Sequence, residues 1–99
     1  MRDRTPAEVF PPGEFIKDEI EARGWTQEDL AEILGRPARL VNELISGKRG
    51  ITPETAKGLA GAFSTSAQFW MNLESMYRLF LSDTEHDIVE RRSVLLARR

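Results

Sequence analysis

Thr26-Gln27-Glu28-Asp29-Leu30-Ala31-Glu32-Ile33-Leu34-Gly35-Arg36-Pro37-Ala38-Arg39-Leu40-Val41-Asn42-Glu43-Leu44-Ile45-Ser46-Gly47 contains two helices and both of their ends. Thr26 and Asp29 stand at the cap and third positions of a capping box, where each side chain accepts the other residue's backbone N–H. Leu30, Ala31 and Leu34 then recur at helical spacing. Ala31 is small where two steeply crossing helices need their backbones close. Gly35 provides the left-handed conformation that ends the helix, and Pro37 presets the backbone angle at the start of the next. Leu40, Val41, Leu44 and Ile45 form the apolar face of this second helix, leaving Ala38, Arg39, Asn42, Glu43 and Ser46 on or near the opposite side. Gly47 stops it, and Lys48 and Arg49 follow at once. Two short amphipathic helices about a glycine turn make a helix-turn-helix, the unit that sets its second helix into the major groove of DNA.

The flanking segments read as further helices. Residues 13–23 follow Pro11-Pro12 and place Phe15, Ile16 and Ile20 on one face, and Gly24 ends that helix. Trp25, between two helices, reads as a core anchor rather than a base-stacking aromatic. Thr52-Pro53-Glu54 starts a fourth helix whose buried face is Ala56, Leu59, Ala60 and Phe63. Thr65, with Gln68 three residues later, starts a fifth over about residues 66–81. Its apolar residues, Phe69, Trp70, Leu73, Met76, Tyr77, Phe80 and Leu81, span roughly 140° of the helix, broader than a core-facing stripe. Phe69, Leu73, Met76 and Phe80 are expected to close the core, while Trp70, Tyr77 and Leu81 on the flank are expected at a contact between two copies. No strand-like alternation is present, so the fold class is all-α: a five-helix domain with a short C-terminal extension.

The boundaries follow from composition. Residues 1–11 form an N-terminal arm, 12–81 the helix-turn-helix domain with its dimerising fifth helix, and 82–99 a charged tail. That tail carries a short apolar series, Ile88, Val89, Val94, Leu95 and Leu96, compatible with a last amphipathic helix or a docking arm. Arg98-Arg99 reads as solvated tail, and His86, between Glu85 and Asp87, as a surface histidine.

At 99 residues with 40% apolar content, the chain has material for one small core. It lacks cysteine and has one histidine, which excludes disulfides and thiolate metal sites and leaves little for a zinc centre or a catalytic triad. No acid/base pair, activated nucleophile or phosphate-cradling glycine loop occurs, so no catalytic residues, metal or cofactor are expected. No apolar run approaches membrane-spanning length and the N-terminus does not resemble a signal peptide, which leads to the expectation of a soluble, cytoplasmic protein. The net charge of −2 is not that of a basic DNA binder. Its distribution is uneven, however. Glu14, Asp18, Glu19, Glu21, Glu28, Asp29 and Glu32 face only Lys17 and Arg23 across residues 13–34, whereas Arg36, Arg39, Lys48, Arg49 and Lys57 outnumber Glu43 and Glu54 across 36–58. The expected DNA face is therefore locally positive and the first helix acidic.

Pro12-Gly13-Glu14-Phe15, Gly24-Trp25-Thr26-Gln27, Leu34-Gly35, Ser46-Gly47-Lys48-Arg49-Gly50-Ile51-Thr52-Pro53-Glu54-Thr55-Ala56 and Phe69-Trp70-Met71-Asn72-Leu73 together resemble the HigA-type antitoxins of the Xre-like (lambda-repressor-like) helix-turn-helix superfamily, over about residues 11–80. The resemblance implies a five-helix fold, homodimerisation through the C-terminal part and repression of the protein's own operon at a palindromic operator. It further implies neutralisation of a RelE-like, mRNA-cleaving toxin. It carries phosphate contact to Gln27 and base reading to Ala38, Arg39, Asn42 and Glu43. Arg39 suits guanine, Asn42 adenine, and Ala38 a thymine methyl. Arg36, Ser46, Lys48 and Arg49 complete the expected phosphate contacts. The start of the recognition helix departs from the superfamily pattern, since Pro37, Ala38 and Leu40 offer few hydrogen bonds and shift weight onto Arg36, Arg39 and Asn42. Two other readings stand beside this one: the DNA-binding part of a regulator related to ImmA/IrrE metallopeptidase fusions, without a toxin partner, and a protein-interaction module that does not bind DNA.

Overall fold

The computed structural model describes residues 10–97, the side chains of 83–86 excepted. The expectations for most of the N-terminal arm, for the His86 side chain and for Arg98-Arg99 lie outside the described residues. Six helices follow one another: α1 (Pro12–Arg23), α2 (Gln27–Leu34), α3 (Ala38–Ser46), α4 (Pro53–Phe63), α5 (Ala67–Leu81) and α6 (Asp83–Ala97). The fold is all-helical, with no strand among the described residues, and has one helix more than the five expected because the charged stretch after Ser82 is itself helical. No helix among the described residues is long and apolar enough to cross a membrane.

Local chemistry sets the helix ends. Asp29 N–H donates to Thr26 Oγ1 at 3.1 Å and Thr26 N–H to Asp29 Oδ2 at 2.8 Å, so the capping box of α2 is complete. Gly35 ends α2 at φ 67°, a left-handed angle that a residue with a Cβ adopts only at a cost. Pro37, extended at φ −62°, leads into α3, and Thr52 caps α4 by accepting from Thr55 N–H at 3.3 Å. The cap of α5 corrects the expectation. Ser66 accepts from Phe69 N–H at 3.0 Å, and Thr65 instead accepts a 2.7 Å hydrogen bond from the indole Nε1 of Trp70.

Ile16, Ile20, Leu30, Ala31, Leu40, Val41, Leu44, Ile51, Ala56, Leu59, Phe63 and Trp70 form the buried core, to which α1 through α5 all contribute. α1 lies against α3, and α4 joins α2 to α5. α1 approaches α3 closely at Gly13. A methyl group built on Gly13 would sit 2.5 Å from the Leu44 carbonyl oxygen and closer still to that of Ile45. Trp25 stacks on Phe63 with ring centroids 6.0 Å apart, and Phe63 in turn meets Trp70 at 5.8 Å. The Arg23 guanidinium covers both Trp25 and Phe63 and donates from Nη2 to the Phe63 carbonyl at 3.2 Å, tying the end of α1 to the end of α4.

The rotation of α5 differs from the expected one. Trp70 is fully buried, so it is part of this chain's own core and has no surface to give a second copy. Phe69, Met76 and Phe80, expected inside, are 39%, 57% and 46% exposed, while Leu73 is partly buried. Two polar anchors turn the helix this way. Trp70 reaches Thr65, and Glu74 Oε1 accepts the Ile51 N–H at 3.0 Å while its Oε2 holds Arg78 Nε at 2.5 Å. An apolar stripe wider than one face leaves the choice of face to such anchors. Tyr77 is half-buried and Leu81 exposed.

Because its Cβ would meet backbone rather than a movable side chain, Gly13→Ala is expected to lower the unfolding free energy by about 2–3 kcal/mol. The measurement is a lower urea midpoint at unchanged m-value. Gly61→Ala, whose Cβ meets nothing within 4 Å on α4, is expected to raise stability by about 0.5–1 kcal/mol in the same assay.

Candidate nucleic-acid interface

Leu40, Val41 and Leu44 anchor α3 in the core, which forces the remaining residues of this short helix outward. Ala38, Arg39, Asn42 and Ser46 are exposed along its outer face, and Lys48 and Arg49 continue that surface as the chain reverses after Gly47. The reversal is held by the Lys48 N–H, which donates to the Glu43 carbonyl at 2.9 Å, and Ser46 Oγ donates to the same carbonyl at 3.3 Å.

Hydrogen bonds join several of the expected site residues. Asn42 Nδ2 donates to Gln27 Oε1 at 3.2 Å, linking the first residue of α2 to the middle of α3. Glu43 lies between two arginines. Arg39 Nε donates to Glu43 Oε2 at 3.1 Å, while Arg49 donates to Glu43 Oε1 from Nε at 3.0 Å and approaches it from Nη2 at 2.8 Å. The Arg49 hydrogen bond, followed by that of Arg39, holds the Glu43 carboxyl below the usual carboxylate range, against a smaller opposing effect of burial. Its folded-state value being depressed, the stabilising effect of this bridge is present above the unfolded pKa and is lost as pH falls through the folded one. Arg39 is the most open of these three, with its side chain 87% exposed against 54% for Arg49 and 18% for Glu43.

Arg36 is placed apart from this group. It pairs with Glu54 of α4, over a groove lined by Leu34, Leu40, Thr55 and Gly58, so its charge is already partly answered within the chain. Lys48 carries no ion pair among the described residues, which leaves it as the freest cation beside α3. The acidic residues gather elsewhere: Glu14, Asp18, Glu21, Glu28 and Glu32 are exposed on α1 and α2. The Arg39–Glu43 pair has helical i,i+4 spacing and is visible in the sequence. The Glu43–Arg49 and Gln27–Asn42 contacts are not, since each crosses a chain reversal.

Residues 16–70 match the helix-turn-helix family. An HTH-type transcriptional regulator from Haemophilus influenzae is 34% identical over 88 residues, covering 88% of this chain and 78% of that one. Among solved structures, the Pseudomonas aeruginosa antitoxin HigA with the higBA promoter superposes with a TM-score of 0.79 at 35% identity, covering 85% of this chain and 94% of that one. A HigA-family addiction module antidote protein from Coxiella burnetii also superposes with a TM-score of 0.79, at 29% identity, covering 84% and 92%. With more than half its length matched and its core and turn built as described, the chain belongs to the Xre-like helix-turn-helix family of DNA-binding regulators.

Proposed function

We propose that this protein is a dimeric repressor that reads a palindromic operator with α3 and serves as the antitoxin of a HigBA-type module, working in the cytoplasm on its own operon. The observation that carries the reading is the outer face of α3, where Arg39 and Asn42 project from a helix whose other face is locked in the core. Arg39 offers guanidinium donors to a guanine edge, Asn42 an amide to adenine, and Ala38 a methyl-sized contact to thymine. Gln27, Ser46, Lys48 and Arg49 meet phosphates on either side. Arg36 is a weaker phosphate contact than these, being already paired with Glu54.

A single short helix reads few base pairs, and a two-fold pair reads two half-sites. The exposed ridge of Phe69, Met76 and Phe80, continued by Leu81 and the edge of Tyr77, supports α5 as the surface that a second copy covers. The acidic face of α1 and α2 suits a basic partner such as a RelE-like ribonuclease, which attracts opposite charge as it docks. That two similar structures are HigA-type proteins supports the same assignment.

Arg39→Ala is expected to lower discrimination between operator and unrelated DNA by about tenfold or more. Lys48→Ala is expected to weaken binding to all DNA alike and to reduce the slope of log K against log salt by about one. Gel shifts at two salt concentrations measure both, and a uniform loss in both variants would remove Arg39 from base contact. Met76→Glu combined with Phe80→Glu is expected to give a monomer by sedimentation, with operator affinity at least about a hundredfold lower; a dimer that persists would place the interface elsewhere. Co-expression with the adjacent reading frame is expected to restore growth that this frame alone arrests. Failure to rescue, with the repressor still binding DNA, would leave a regulator without a toxin.

A further inference from the structure

Glu43 is the only acidic residue in α3, and it sits where a carboxylate would oppose the phosphates of bound DNA. Both of its oxygens accept from arginines, Oε2 from Arg39 and Oε1 from Arg49, so the carboxylate is already engaged within the chain. The two arginines differ in place: Arg39 stands on the outer face of α3 with its side chain 87% exposed, and Arg49 follows the helix stop at Gly47, 54% exposed. Arg39 gives up only Nε and keeps its terminal pair, Nη1 and Nη2, a fork that matches O6 and N7 of guanine. Arg49 gives Nε and one N–H of Nη2 and also keeps an end-on pair, but offers it from the chain reversal beyond Gly47 rather than from the helix.

Building on the DNA-reading function proposed above, we infer that Glu43 is a positioning residue that presents the Arg39 fork end-on to a base and ties Arg49, beyond the end of α3, into the same cluster. Its charge has a second effect. Two guanidinium groups and one carboxylate carry one net positive charge in place of two, which weakens attraction to any duplex while the fixed Arg39 fork keeps its preferred base. Glu43 thus raises the ratio of specific to non-specific binding without touching DNA.

The probes are duplexes enriched by the wild-type protein from a randomised pool and a shuffled duplex of the same composition. Far-UV circular dichroism and urea midpoints confirm folding of each variant. Glu43→Gln is expected to tighten binding to the shuffled duplex severalfold at low salt, to steepen the salt slope by about one, and to lower the selected-to-shuffled ratio by about tenfold. Glu43→Asp keeps the charge but is too short to span both arginines; it is expected to leave the salt slope unchanged and still lower the ratio at least about threefold. In an Arg39→Ala background, Glu43→Gln is expected to cause no further loss at the base pair Arg39 reads. Wild-type ratios in both Glu43 variants would overturn the positioning role while leaving DNA reading intact. A loss of base preference in Glu43→Gln that persists on the Arg39→Ala background would make Glu43 a base reader instead. Wild-type protein that enriches no duplex would overturn DNA reading itself, and this inference with it.

Discussion

Helix α3 is held from behind by backbone against backbone: the first turn of α1 lies on the carbonyls of Leu44 and Ile45, with only the absent Cβ of Gly13 between them. That contact fixes the depth at which α3 sits, and Leu40, Val41 and Leu44 fix its rotation by filling the core beneath it. Everything on the outer face inherits this geometry. Arg39 and Asn42 project as they do because the opposite side of a nine-residue helix is committed to packing. The turn at Gly35 then sets the angle of α2, whose first residue reaches back to Asn42. A site placed on a packed helix is more rigid than one on a loop, and here the loop residues Lys48 and Arg49 are drawn into the same network through Glu43.

Charge is divided over the surface with the same economy. The excess of acid that makes the whole chain negative lies on α1 and α2, while the exposed face of α3 and the reversal after it carry the cations. Net charge is therefore a poor guide to what such a small domain binds; the potential at the face that meets the ligand decides it. The acidic side offers a second surface of opposite sign, separate from the exposed face of α3.

Much of this was legible in the sequence because helix ends are written within four residues. Thr26 with Asp29, Gly35, Gly47 and Thr52 each act through bonds to their own neighbours, and each end lies where those residues put it. The rotation of α5 was not legible. Its apolar residues cover more than one face, and two side-chain bonds, the local one of Trp70 to Thr65 and the long-range one of Glu74 to Ile51, choose among them. The sequence points to Thr65 as the cap of α5, but the Trp70 indole claims that hydroxyl and Ser66 caps the helix instead. In the site, residue identities could be read but not their pairing. Gln27 and Asn42, or Glu43 and Arg49, are brought together by turns whose geometry appears only once the helices have packed.

The bond from Glu74 to Ile51 links two parts of the surface that otherwise look independent. One end belongs to the helix bearing the Phe69, Met76 and Phe80 ridge, the other to the loop that begins with Lys48 and Arg49. The carboxylate is mostly shielded from water and braced by Arg78, so it acts as a short strut rather than a hinge. If a second subunit docks on that ridge, the span between the two DNA-facing loops is set inside each subunit. The pair then works as a caliper of fixed opening, to which the duplex must conform.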